Sequence, residues 1–506
     1  MKRLLEDISN HSFPLEFPGH YIGNKWVRPS KFVESRHSLN PSTGDVLMSV
    51  GLEKQQIDLA LKECETVLPH LQEASYSVRF EYINKFRQAL GDHQTDLINV
   101  LRIESGKPLW EAEFEFSQAL RYLDQLVASQ EVFQESLYSP YKAFCSSAEI
   151  RHRSVGSVLA YVPFSTAMPA FVQYLSASLI SGSPIVILAS RHVTLFSVLM
   201  GSILEELEFP SGVVNILSGG FTDFQAISQH KSVRAVFYRG SREHCMTLHQ
   251  DGRNHWGRVV DFSSGGKNSA LCLPNAPIDK AVESICLGAL MGAGQLCEST
   301  SRVFVHRESL ADLVNQMVAK IKGLKIGPTH LVDDVEMGPL YSAKAVDKFL
   351  RFQTMAKKES ENTVLWGKSL EIGSGGNFVT PGVHIFSKFD GRSAYQSNVL
   401  LFPDIAIYEY DTVDEAVAKI NSTDAAYSVS VLGGETEFKN SMNFRSPNLI
   451  YNGATVESAG PFSLPGSGYS SSGYTQEWGL ASKLLTPVST RNVGTNSDLF
   501  NAWLKR

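Results

Sequence analysis

The segment MGAGQLCESTSRVFV, residues 291–305, sets Cys297 in a turn of small residues between an apolar, helix-like stretch and a β-rich run. A thiol held in such a turn stays accessible, and its thiolate is a nucleophile that forms thiohemiacetals and thioesters. Most cysteines are instead small buried hydrophobes. Cys272 and Cys286, which fall in an expected strand and helix, fit that description. The six cysteines form no CxxC pair and no disulfide framework, which points to a reducing, cytoplasmic setting. His244, Cys245 and His249 come nearest to a metal pattern, but no second cluster closes a tetrahedron, so no metal is expected.

Elements able to position such a thiol can be read from periodicity. Between about residues 53 and 130, apolar positions recur at helical spacing, as in Phe80, Tyr82, Ile83, Phe86 and Leu90. Short β-rich runs then alternate with helix-length segments: GSVLAYVPF from 156, SPIVILAS from 183, GVVNILSG from 212, VRAVFYRGS from 233 and RVVDFSS from 258. That alternation builds a parallel, doubly wound sheet through right-handed βαβ units, and such sheets bind nucleotides at the carboxyl ends of their strands. No GxGxxG fingerprint is present, and GSGGN at 373 reads as a loop.

After residue 268 a second alternation begins, with IDKAVESICLGALMGAG as a buried helix, SRVFVH as a strand and LADLVNQMVAKIKGL as an amphipathic helix. The expected division is a cofactor-type Rossmann-like domain from 1–135 and 156–268, and a thiol-bearing domain from 269–450. The segments 136–155 and 451–506 form an oligomerisation arm and a C-terminal segment. AEIRHRSVG at 148 and LLTPVSTRNV at 484 alternate apolar and polar residues outside the βα pattern, as arms pairing between subunits of a homodimer or homotetramer would.

Composition narrows the partners. The chain has 506 residues, 43% hydrophobic, with 46 Lys and Arg against 52 Asp and Glu, a balance that argues against nucleic acid. The N-terminal MKRLLEDISNHSF has no apolar signal core. The most apolar region, residues 170–204, is interrupted by Gly182, Pro184, Arg191 and His192, so no membrane span is expected.

GQLC, followed by Arg302, resembles the GQxC nucleophile motif of the aldehyde dehydrogenase superfamily. ESGKPLWEA at 104, SGGKNSALCLPNAPID at 264, YDTVDEAVAKIN at 410 and GPFSLPGSGYSSSG at 460 resemble further landmarks in family order, over about residues 20–490. GKPLWEA and EIRHRSVGSVLAYVPF are most similar to the succinylglutamic semialdehyde dehydrogenase branch. The resemblance implies an α/β fold of two doubly wound domains plus a β-arm, NAD or NADP as cofactor, and a small aldehyde, such as succinylglutamate semialdehyde, as substrate. Cys297 would attack the aldehyde, with its own backbone N–H helping to hold the oxyanion.

Most positions that should serve the thiol depart from the family pattern. VPFSTAMP puts Ser165 where the family has an oxyanion-binding Asn, a donor typically worth roughly a hundred- to a thousandfold in rate. FSSGGKN puts Ser263 in place of the hydrolytic Glu, and a general base contributes on the order of a hundred- to ten-thousandfold. Asp261, two residues earlier on the same strand, points to the same side. Among the cofactor positions, LASR keeps Ser190 but has Leu188 for a ribose-binding Lys and Arg191 for a Glu. GSREHC keeps Gly240 and Ser241 but ends on Cys245, whose side chain would crowd a close backbone approach. Val399, in VLLFP, replaces a second ribose-binding Glu. Three readings follow: an NAD(P)-dependent aldehyde oxidoreductase with impaired turnover, a thiol enzyme that transfers acyl groups, and a catalytically weak relative acting in binding or assembly.

Overall fold

The computed structural model describes residues 2–30, 36–131, 148–252, 257–373, 375–423, 425–434, 443–459, 469–470 and 484–491. Most of GPFSLPGSGYSSSG, the segment 132–147 and the end of the chain after 491 lie outside these residues.

The first sheet has seven strands: β1 (His20–Ile22), β2 (Lys25–Val27), β3 (Ser157–Val162), β4 (Ile185–Ser190), β5 (Val214–Gly219), β6 (Val233–Arg239) and β7 (Val259–Ser263), in the order β7-β6-β3-β4-β5-β1-β2. From β7 to β5 every pairing is parallel. Runs such as IVILAS in β4 are buried throughout, as strands covered on both faces require. The chain winds outward from β3 through β4 to β5 and then returns to lay β6 against the other side of β3. The topological switch point therefore lies between β3 and β6, where a doubly wound sheet opens its crevice.

Sequence periodicity missed the antiparallel hairpin of β1 and β2 at the far edge, because strands of three residues are too short to show a period. Its turn carries Gly23 and Asn24, both left-handed at φ 57° and 61°, the geometry of a tight hairpin.

The second sheet holds β8 (Asn268–Cys272), β9 (Thr300–His306), β10 (Asn362–Leu365), β11 (Gly382–Phe386), β12 (Asp404–Tyr410), β13 (Ser428–Leu432) and β14 (Asn448–Tyr451), in the order β10-β11-β12-β9-β8-β13-β14. Only β10 pairs antiparallel. Each sheet has its own apolar core. The strands Ala148–Ser154 and Leu485–Arg491, expected to reach for another subunit, take each other as antiparallel partners within the chain, from Ala148 opposite Arg491 to Ser154 opposite Leu485. Two distant strands of matching length satisfy one another's backbone groups, a pairing that sequence separation concealed. No helix among the described residues is long and apolar enough to cross a membrane.

Candidate active site

The thiol sits between the sheets. Cys297 lies just before β9, while the loop Ser264–Lys267 runs from the carboxyl end of β7 to the amino end of β8 and passes directly against it. Gly265 is left-handed at φ 69°, and a Cβ there would lie 2.9 Å from Cys297 Cα and 3.0 Å from its Cβ, so only glycine allows this approach. Gly266 N–H donates to the Cys297 carbonyl at 3.2 Å. Asn268 Nδ2 donates to the carbonyls of Cys297 (2.9 Å) and Ser299 (3.1 Å), and its Oδ1 accepts from Ser428 N–H at 3.0 Å.

The turn ahead of the thiol is held just as firmly. Gln295 Nε2 donates to Gly292 O at 2.9 Å, its Oε1 accepts from Tyr341 N–H at 3.0 Å, and Glu111 Oε1 accepts from Gly292 N–H at 2.8 Å. A Cβ on Gly294 would lie 2.3 Å from the Phe402 carbonyl, so the turn also depends on glycine there.

Cys297 itself is partly exposed. Burial of its sulfur, and then the charge of Glu298, push its pKa far above the usual thiol value, while Arg239 pulls it down. Neither of these neighbours was singled out from the sequence. Arg239 ends β6 as the register partner of Ser263, donates to Gln173 Oε1 at 2.6 Å and lies over the Tyr174 ring. Glu298 is 8% exposed, and its Oε2 is buried with no hydrogen-bond partner. Burial raises its pKa and Arg239 opposes that shift. The available signal for Glu298 was an acid directly after the nucleophile in a turn of small residues. Arg239 gave none, since its relation to the thiol depends on strand register.

Ser165 lies on the wall of a small cleft of about 10 Å³, enough for a single water, that it shares with Lys107, Glu111, Gly292 and Leu296. Its carbonyl accepts from Lys107 Nζ at 2.7 Å; Lys107 is ion-paired with Glu115, whose Oε1 accepts from Met168 N–H at 3.0 Å. A buried charged cluster thus ties the Ser165 loop to the nucleophile turn. Val399 lines a second cleft with Gly266, Gly294 and Phe402, on the opposite side of the same turn. Ser263 and Asp261 are both buried on β7, and Ser263 O accepts from Gly240 N–H at 3.0 Å. The structure therefore gathers Ser165, Ser263 and Val399 around the nucleophile turn.

The positions matched to cofactor binding are packed differently. Tyr161 of β3 and Tyr238 of β6 are register partners across the switch point, stacked with centroids 4.9 Å apart. His244 shares a 2.8 Å hydrogen bond with the Tyr238 hydroxyl and stacks on Phe221 at 3.7 Å and 7°. Leu188 is fully buried in an apolar cluster with Leu217, Phe224 and Tyr238. Ser190 is buried at the end of β4, where its Oγ accepts from His192 N–H and it also hydrogen-bonds the Tyr161 hydroxyl. A Cβ on Gly240 would lie 2.6 Å from the Tyr238 ring. Ser241 Oγ accepts from His244 N–H at 3.3 Å, capping its own helix, Arg242–Gly252. Cys245 turns into the apolar cluster, where burial pushes its thiol up to about 12.

Two helix N-termini after β4 and β5 hold carboxylates of the chain itself. Glu104 accepts from Leu195 and Phe196 N–H, both at 2.8 Å, and Asp223 accepts from Gly220 N–H at 2.7 Å while pairing with Arg36. The aromatic rings of Tyr161, Tyr238, Phe221 and His244 pack on one another at the carboxyl end of β3 and β6, the end at which a doubly wound sheet takes a nucleotide.

A family model described as the aldehyde dehydrogenase family matches residues 26–490. Retinaldehyde dehydrogenase 3 of Homo sapiens is 26% identical over 427 residues, covering 82% of this chain and 81% of that protein. Malonate-semialdehyde dehydrogenase 2 of Geobacillus kaustophilus is 24% identical over 406 residues, 80% and 83% of the two chains. In fold, the chain is similar to a Mycobacterium tuberculosis aldehyde dehydrogenase solved in complex with NAD+, with TM-score 0.85, 19% identity and coverage of 95% of this chain and 99% of that one.

Proposed function

Because this chain belongs to the aldehyde dehydrogenase family, we propose that it is a thiol enzyme that captures an aldehyde as a thiohemiacetal on Cys297, and that its NAD(P)-linked oxidation is weak. One contrast carries this reading: the nucleophile turn is held by Gly265, Asn268 and Gln295, while the nucleotide crevice is filled by Tyr161, Tyr238, Phe221 and His244. The chemistry left to the chain's own residues is addition: sulfur attacks the carbonyl carbon, and backbone N–H groups with the Ser165 hydroxyl are the available donors to the resulting oxyanion.

Succinylglutamate semialdehyde is the substrate favoured by the GKPLWEA and EIRHRSVGSVLAYVPF segments. The Arg239 guanidinium beside the thiol suits a substrate that ends in a carboxylate. Pairing of the Ala148–Ser154 and Leu485–Arg491 ribbon with a second copy is the route to a homodimer or homotetramer in the cytoplasm.

The test is NADH production from short semialdehydes. The wild type should turn over well below about ten per second, the median for enzymes, and millimolar NAD should leave its melting temperature nearly unchanged. Turnover at that median, with a clear NAD-induced rise in melting temperature, refutes weak oxidation. Unchanged activity in Cys297→Ser refutes the nucleophile.

A further inference from the structure

The thiol enzyme proposed above lacks a carboxylate at Ser263, yet a carboxylate stands on its other side. Glu298 directly follows Cys297 and is more than nine-tenths buried, and its Oε2 has no hydrogen-bond partner. Its charge falls on the Cys297 sulfur, and Arg239 acts on both groups. A buried carboxylate oxygen with nothing to accept from is costly to leave unpaired, and a water at the thiol supplies the missing donor.

We propose that Glu298 is the general base of this site, accepting the proton of the water that hydrolyses an acyl thioester on Cys297. The step balances without an oxidant. The water oxygen attacks the acyl carbon as its proton passes to the Glu298 carboxylate. The carbon–sulfur bond then breaks, the Glu298 proton moves to the departing sulfur, and the products are a free carboxylic acid and the Cys297 thiol.

Burial favours the neutral acid and raises the Glu298 pKa, while its own backbone N–H and Arg239 favour the ionised form that accepts a proton. The Glu298 carboxylate is acted on by its own backbone N–H and by Arg239 at the end of β6, and the thiol beside it by Glu298, by Arg239 and, more weakly, by Cys245 from the helix Arg242–Gly252. Asp261 is the other buried acid near the loop, but it belongs to β7, where its register partner is Phe237.

The inference rests on Cys297 being the nucleophile, and p-nitrophenyl acetate separates the two ideas. This activated ester acylates a thiol in a burst of p-nitrophenolate and then turns over only as fast as the thioester hydrolyses. The wild type should show a burst of about one equivalent, and Cys297→Ser should lose it. Glu298→Gln should keep the burst while its steady-state turnover falls at least tenfold, within the range typical of general bases. It should also lose the rise in turnover with pH that the wild type shows as Glu298 ionises. Glu298→Asp, which keeps a carboxylate one methylene away, should retain that rise at a lower rate and serves as the test if the Gln variant folds poorly. A Gln variant that turns over within twofold of the wild type, or an Asp variant without the pH rise, overturns the role of Glu298 and leaves Cys297 untouched. A wild type without a burst, or a burst that survives in Cys297→Ser, overturns the nucleophile instead.

Discussion

The crevice between β3 and β6 and the turn around Cys297 lie close together, yet they treat their polar groups in opposite ways. In the crevice, demand is met from within: Glu104 and Asp223 take the helix N–H groups, Ser241 caps its own helix, and His244 lies flat on Phe221. At the thiol, the backbone is held from several directions while Cys297 stays partly exposed and Glu298 Oε2 stays unpartnered. A region that satisfies itself gains stability and loses vacancy for a ligand; one that holds its frame but leaves functional atoms unsatisfied keeps the capacity to react.

The largest test of that contrast falls on the cradle. Gly265→Ala forces a Cβ against Cys297 at a backbone angle that side chains rarely adopt, and Asn268→Ala removes the side-chain hydrogen bonds to the Cys297 and Ser299 carbonyls and to Ser428 N–H. Each should lower the acylation burst rate with p-nitrophenyl acetate by more than about a hundredfold, because misplacement of an ångström costs about that much. Each should also lose roughly 2–4 kcal/mol of stability by urea unfolding. A Gly265→Ala protein that acylates at the wild-type rate breaks the claim that this loop positions the thiol.

A second test sits on the crevice side and depends on pH. Burial pushes the Glu104 carboxyl up from 4.5 to about 7, against hydrogen bonds from Ser38, Phe196 and Leu195. Because the folded form binds its proton more tightly than the unfolded chain does, this group's contribution is fully present below about pH 4.5 and is lost as pH rises through about 7. Buried His20 and His192, both lowered to about 4, drive stability the other way as pH rises between 4 and 6.5, so only the difference between variants isolates Glu104. Wild type minus Glu104→Gln should therefore become less favourable by about 2–3 kcal/mol between pH 4.5 and 7.5. A difference that stays flat with pH means the carboxylate is ionised throughout.

Much of this architecture was legible in sequence. Apolar runs such as IVILAS, at helix-length spacing, foretold the parallel sheet, and the small residues around GQLC foretold a break between helix and strand. Leu188, Ser263, Val399 and Ser165 could be read as departures from the family pattern, but not what packs around them. Tyr161 and Tyr238 are 77 positions apart in sequence (238 minus 161) and meet only because the switch point lays β6 against β3. Arg239 became the partner of Ser263 through register alone. The mutual pairing of Ala148–Ser154 with Leu485–Arg491 was equally hidden, since alternation identifies a strand and says nothing about which strand it will find.

The smallest expected effect is also the one whose sign separates the two regions most sharply. Phe221 lies face to face on His244 at 3.7 Å, at the start of the helix Phe221–Ser228, and its ring is only partly buried. A stacked aromatic pair contributes about 0.5–1.5 kcal/mol beyond its area, so Phe221→Ala should lower stability by roughly 1 kcal/mol, a shift of a few degrees or less in a chain of this size. Truncation at the thiol cradle should lower stability and function together. Here the two should move apart, since removing the ring opens the mouth of the crevice that NAD would enter. NAD affinity measured by calorimetry should rise by about five- to tenfold, corresponding to roughly 1 kcal/mol that a ligand need no longer spend displacing the stack. If Phe221→Ala binds NAD no better than the wild type, the stack is not what closes the crevice, and the block must lie deeper, with the Tyr161 and Tyr238 pair at the switch point itself.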